Sequence, residues 1–379
     1  MKEVVRGTRR SCRRSRPRGL AALLAVGGLL GFLLARASAD ELPSSDRFSA
    51  DIRAVTVGGD GDWVGVVYGG ADSKPIPYHL ALGQLSSGRL WFLRDESVRQ
   101  EQVAVGPGGT PVFYYAGDVE PYERTLVRLV RDGPNHWTRT IGVVEWAWWP
   151  VLSPNARYLA YSTRLGIGPA IVVRDLEKGG EALISAVGSS ARMDRVTWAP
   201  DSSAVIWGTS REGWLWRLDD RRLSAPLPLG SYPWDLCPHW GQSRTDVFMF
   251  AGASAEPEPL IVRHVRVSDH EVREVWRREI PWWAIPRQRI GAWAYGAERM
   301  VVATTAGEDV RSGLYVYPGS EGAWERVAEA ERGEIGVVLL DSRRVLFSAD
   351  QRLWILDVGH LRVTPVTWRE VGAGVVEEG

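Results

Sequence analysis

Residues that usually carry chemistry are scarce in this chain. Among 379 residues there are two Cys, four Met and six His. Cys12 precedes a long apolar run near the N-terminus, whereas a lipid-accepting Cys would follow it. If that segment is removed, Cys237 has no intramolecular partner, so the fold cannot depend on a disulfide. Cys237 reads as a small buried apolar residue. His79, His136, His239, His264, His270 and His360 are scattered, and no two have the i, i+4 spacing of a helical zinc-protease motif. No Gly-x-Ser-x-Gly nucleophile elbow occurs. Gly59-Asp60-Gly61-Asp62 supplies too few oxygens for a calcium loop and reads as a turn. On these grounds no cofactor, metal site or catalytic residue is expected.

Positive charge is also missing from most of the chain. The formal net charge is +0, yet residues 1–39 hold nine Lys/Arg and one acidic residue, Glu3. Taking these from the 46 basic and 46 acidic groups leaves residues 40–379 with 37 and 45, a net charge of −8. A mildly acidic body has no basic face to set against phosphates, which argues against nucleic-acid binding.

The basic groups that do exist are concentrated at the start. Arg9, Arg10, Arg13, Arg14, Arg16 and Arg18 precede an uncharged run from Gly19 to Ala35, and Ala37-Ser38-Ala39 follows it. A basic region, an apolar region and a small-residue site describe a secretory signal peptide. The run of about 17 residues is at the short edge of what can span a bilayer. Two readings stay open: cleavage after Ala39, which we favour, or retention of residues 1–39 as a membrane anchor. Both place residues 40–379 outside the cytoplasm, periplasmic or secreted, because the Arg cluster stays inside. Membrane contact is expected only through this segment, and only if it is uncleaved.

What the chain has in quantity is Trp, with 19 copies, and a repeat. A short apolar stretch ending in an aromatic and then a small residue recurs seven times. The copies centre on Tyr68, Tyr115, Tyr161, Trp207, Phe250, Ala303 and Phe347, the sixth lacking its aromatic. Successive spacings are 47, 46, 46, 43, 53 and 44 residues, close to the period of a four-stranded propeller blade. Upstream of the mark lie turn signals such as Gly106-Pro107-Gly108-Gly109, Ser153-Pro154-Asn155 and Ala199-Pro200-Asp201-Ser202. Downstream lies a third strand, as at Leu90-Trp91-Phe92, Ile171-Val172-Val173 or Leu353-Trp354-Ile355, and then a more polar fourth. With no amphipathic helix between copies, the expected fold is all-β: a seven-bladed β-propeller of four-stranded antiparallel blades over residues 52–369. Residues 40–51 are expected to be a linker or closing strand, and 370–379 a frayed tail.

Two copies carry more than the period. Ser153-Pro154-Asn155-Ala156-Arg157-Tyr158-Leu159-Ala160-Tyr161 and Ala199-Pro200-Asp201-Ser202-Ser203-Ala204-Val205-Ile206-Trp207 resemble the repeats of TolB-like, WD-related propellers. The resemblance is clearest over residues 149–208 and only periodic elsewhere, where His239-Trp240-Gly241-Gln242 and Leu340-Asp341-Ser342-Arg343 lack the Pro. It implies an extracytoplasmic interaction module.

The candidate binding residues are Trp146, Trp148 and Trp149 between the second and third copies, Trp234 between the fourth and fifth, and Trp282 and Trp283 between the fifth and sixth. All six lie where a fourth strand runs to the next first strand. Antiparallel order gathers those connections on one face, around the channel mouth. Rigid exposed rings there would make a recognition surface. The competing placement has the same rings plugging the channel or wedged between blades. Trp198 and Trp240 fall within first strands and are expected in the core. The expectation is a non-enzymatic, monomeric module holding a protein partner on this face. The alternative is a propeller hydrolase or lyase acting on glycans, with acids and His around the channel.

Overall fold

In the computed structural model the chain divides into two units, Met1–Asp46 and Arg47–Gly379. The structure describes residues 48, 52–69, 78–116, 123–145, 148–165, 168–185, 196–208, 212–219, 221, 227–228, 239–240, 246–251, 259–266, 272–279, 293–294, 299–304, 312–317, 325–330, 335–341 and 343–378. The export segment expected at residues 1–39 lies outside them.

The described residues form 29 strands and a single 3-10 turn, Pro107–Gly109. The first copy is β1 (Ile52–Val57), β2 (Trp63–Tyr68), β3 (Tyr78–Gln84) and the start of β4 (Arg89–Val105). The second uses the end of β4 with β5 (Val112–Ala116), β6 (Glu123–Arg131) and β7 (His136–Glu145). The third is β8 (Trp148–Leu152), β9 (Tyr158–Leu165), β10 (Gly168–Asp175) and β11 (Glu181–Ser185). The fourth is β12 (Val196–Trp198), β13 (Ala204–Gly208), β14 (Glu212–Arg217) and β15 (Leu227–Pro228). The fifth is β16 (His239–Trp240), β17 (Asp246–Ala251), β18 (Pro259–Arg266) and β19 (Val272–Glu279). The sixth is β20 (Trp293–Ala294), β21 (Arg299–Thr304), β22 (Ser312–Tyr317) and β23 (Glu325–Ala330). The seventh is β24 (Val337–Leu339), β25 (Arg344–Ala349), β26 (Arg352–Asp357) and β27 (Arg362–Pro365), followed by β28 (Arg369–Ala373) and β29 (Val375–Glu378).

Every repeat mark falls in the second strand of its copy. Tyr68, Tyr161, Trp207, Ala303 and Phe347 are all buried, because that strand has a neighbour on each side and packs both faces against adjoining copies. The last strand behaves differently: β25 is buried over five of six residues, whereas β27 buries none of its four. Cores lie between copies. One joins the first and second through Trp63, Leu80, Trp91, Val112, Tyr114 and Trp137. Others join the second and third, the third and fourth, and the sixth and seventh. A further core joins the seventh back to the first, with Leu346, Leu353 and Trp368 against Val64, Val66 and Tyr68. First strands of successive copies touch one another, β1 with β4, β4 with β8, β8 with β12 and β24 with β1, so they line a common axis. These are antiparallel blades set radially, as in a propeller.

Three expectations need correction. Seven separate four-stranded blades were expected; the structure has five, and the first two copies share one nine-stranded sheet. The cause is β4, which runs unbroken for 17 residues. Between Leu93 and Val103 it contains no Gly, Pro or Asn to turn the chain. Second, Leu90-Trp91-Phe92 belongs to this fourth strand, and the third strand of the first copy is β3. Third, residues 370–378 of the expected frayed tail are paired: β28 runs parallel to β4, and β29 to β7. Of the expected linker 40–51, Phe48 is described. Its N–H donates to Gln351 O at 2.9 Å, and its ring packs on Tyr68 and Phe92. It therefore bridges the last copy and the first.

Candidate functional site

Strand order gives the molecule two unlike faces. On one lie the turns that leave each first strand, and among the described residues they pack backbone against backbone. A Cβ on Gly59 would lie 2.3 Å from the carbonyl oxygen of Pro154, and one on Gly58 would lie 2.7 Å from that of Gly106. Only glycine admits these approaches of the first copy's turn to the second and third. The Asn155 N–H donates to Ser202 Oγ at 3.1 Å, tying the third turn to the fourth.

The side chains of these turns are committed to their own backbone. Asp60 accepts from the N–H groups of Asp62 and Trp63 and, across copies, from Gly108 N–H at 2.6 Å. Asp201 accepts from Ser203, and Asp341 from Arg343 and Arg344. Gly59 to Asp62 thus forms the expected turn, with Asp60 acting as its acceptor.

Four carboxylates on this side are held below their ordinary value. Arg157, bonded at 3.0 Å, and the N–H groups of Lys178 and Glu177 lower Asp175 below the ordinary 3.8. Burial pushes Asp62 and Asp341 up, but donors outweigh it: Gln84 and Ser86 for the first, Arg343 and Arg344 for the second. Asp357 is lowered by His360. A glycosidic general acid needs the opposite shift. Burial raises the Tyr161 phenol to about 12. Among the described residues no three of His, Cys, Asp and Glu come together as a metal would require.

A cation is instead enclosed by rings. The Arg131 guanidinium sits 5.1, 4.9 and 5.7 Å from the ring centroids of Trp63, Trp91 and Trp137. It donates to the carbonyls of Gly133 and Pro134, and Trp91 Nε1 donates to Asn135 at 2.9 Å. Burial, then Arg89, lowers its affinity for its proton. This cluster fastens the first copy to the second and is structural.

The opposite face carries the second-to-third and fourth-to-first connections. Trp146, Trp234, Trp282 and Trp283 lie outside the described residues. Trp148 and Trp149 are not in a free loop: β8 begins at Trp148, which stands opposite Ser162, with a register shift before Val151. At the same end of the fourth copy, Trp207 stands opposite Trp214. Both are buried, and neither indole N–H has an acceptor. Such a group forfeits about 1–3 kcal/mol. In the sequence Trp207 stands out as a repeat mark, and Trp214 does not. The Trp214-Leu215-Trp216 alternation is the signal that would have found it. Trp198 is in the core as expected, with Nε1 donating to Val151 O at 3.0 Å.

No known protein-family pattern matches the chain, and no curated protein matches it. Solved structures do. A prolyl endopeptidase superposes with a TM-score of 0.56 at 13% identity, covering 90% of this chain and 55% of that one. An oligogalacturonate lyase in complex with manganese gives 0.52 at 13% identity, covering 80% and 87%. TolB from Acinetobacter baumannii gives 0.45 at 14% identity, covering 77% and 66%. At these identities the likeness is one of fold. Radial antiparallel blades agree with the prolyl endopeptidase and oligogalacturonate lyase superpositions: the chain has a β-propeller fold.

Proposed function

We propose that this chain is an extracytoplasmic, non-enzymatic interaction module that holds a protein partner on the face bearing its Trp-rich connections. The contrast between the two faces carries the reading. The turn face is tiled by glycine-to-backbone contacts, and its carboxylates are bound to N–H groups. All six candidate Trp belong to the stretches between β7 and the start of β8, β15 and β16, and β19 and β20. Aromatic rings supply large contact area at low entropic cost, and they dominate protein interfaces. Export rests on residues 1–39, and membrane contact on their retention.

Replacing Trp148, Trp149, Trp282 and Trp283 together by Ala should abolish partner capture and leave the unfolding temperature of the mature chain within a few degrees. Undiminished capture by the variant would refute the assignment. The glycan-enzyme reading has the oligogalacturonate lyase likeness behind it, and a likeness at 13% identity conveys fold and not chemistry.

A further inference from the structure

The last ten described residues do something the repeat does not require. After β27 the chain leaves the seventh copy and crosses the outer edges of the first two. Arg369 N–H donates to Gly88 O at 2.6 Å, and β28 runs beside Arg89–Phe92 of β4. Gly374 then steps from β4 toward β7 of the same sheet, donating to Phe92 O at 3.1 Å. A Cβ there would lie 2.4 Å from Leu93 Cδ2 and 2.7 Å from Trp137 Cζ3, so only glycine lets the chain pass over Trp137. Val375 N–H donates to Asn135 O at 2.9 Å, and β29 runs beside His136–Arg139. Val371 and Val376 pack on the core of Trp91 and Trp137.

The second half of this crossing is thin. β29 pairs only four of the ten residues of β7. Val375 is 52% exposed. A four-residue parallel pairing at an edge is marginal by itself. A charged contact reinforces it: His136 Nε2 lies 3.4 Å from Glu377 Oε2, while His136 Nδ1 bonds Asp132. Thr138 donates to the other oxygen of Asp132 and holds it in place. Two carboxylates therefore face one imidazole, Asp132 from its own turn and Glu377 from β29. Arg131, the nearest cation of β6, is turned onto the three indoles.

We propose that residues 369–378 form a releasable clasp closing the propeller across its first two copies, and that a proton on His136 sets how firmly β29 is held. The paired carboxylates favour the charged ring, first through the Asp132 hydrogen bond and then through Glu377, raising His136 above 6.5. A raised value means the latch is fully present below the unfolded value and is lost as pH rises through the folded one. Release uncovers the Val376 side of the Trp137 core.

Hydrogen–deuterium exchange of the full chain, corrected for intrinsic rates, reads this directly. Between pH 5.5 and 9, exchange at residues 375–378 should rise roughly two- to fivefold, the range expected of an exposed ion pair. Residues 369–373 should show no such step. His136→Gln and Glu377→Gln should each remove the step. If His136→Gln fails to fold, Glu377→Gln alone decides, since that side chain is 68% exposed. No step in the wild type, or a step surviving in Glu377→Gln, overturns the latch.

Discussion

The first two copies of the repeat and the other five follow one strand plan and end differently. In the later copies each sheet stops at its fourth strand. In the first two, β4 passes without a break from one copy to the next, and β28 and β29 cover the outer edges. The difference teaches that the period alone does not separate blades. A breaker between the fourth strand and the next first strand marks four of the five connections that separate sheets; Trp146-Ala147, between β7 and β8, separates them without one. The later connections contain Gly or Pro, as in residues 186–195, 229–238, 280–292 and 331–334, whereas residues 94–102 contain neither. An unbroken strand leaves two outer edges side by side, and a single C-terminal segment can cover both.

The sharpest way to break the joined pair is through its core. Trp91 is 1% exposed, stacks on Trp63 at 5.2 Å, and donates to Asn135. Trp91→Ala should cost about 3–5 kcal/mol in urea unfolding, combining a cavity with an orphaned acceptor. Trp207→Phe tests a separate sheet: its indole N–H bonds nothing, so the loss should be well under that of Trp91→Phe.

Continuity of β4 is the next target. Ala104 pairs with Phe113 in the ladder, whereas Gln100 lies in the register shift between Val98 and Val103. Ala104→Pro should cost about 3 kcal/mol, and Gln100→Pro far less. Equal losses would show that the shift is not a real interruption. Gly374→Leu should cost about 1–3 kcal/mol by forcing the crossing off Leu93 and Trp137, with faster exchange across residues 369–378.

The smallest effect is electrostatic and belongs to the third copy. Asp175 is lowered by Arg157, so its contribution is present above the ordinary 3.8 and is lost as pH falls through the depressed value. Asp175→Asn should flatten the acid limb of the unfolding temperature slightly and leave the neutral value nearly unchanged.

Much of this fold was legible in the sequence. Aromatic-then-small marks found all seven second strands because that strand lies between two others, and the mark is buried at Tyr68, Tyr161, Trp207, Ala303 and Phe347. Turn chemistry found the first-strand ends at Gly106, Ser153 and Ala199 because Pro, Asn and Gly fix dihedrals locally. The joined sheet was not legible: residues 94–102 lack Gly and Pro, but so does Trp146-Ala147, where the sheets separate. The order of β28 was hidden because its partner, β4, lies about 280 residues away in sequence. Of the candidate site, sequence supplied the Trp positions. It did not supply the start of β8 at Trp148 or the buried Trp207 and Trp214 pair.

The central claim is that the Trp-bearing face holds a protein partner. Its most direct test is affinity capture from the native envelope extract with the mature chain and its Trp148/Trp149/Trp282/Trp283→Ala variant side by side. The account predicts one reproducible protein captured by the wild type and lost from the equally stable variant. The same protein retained by both, or none captured even after crosslinking, would contradict it.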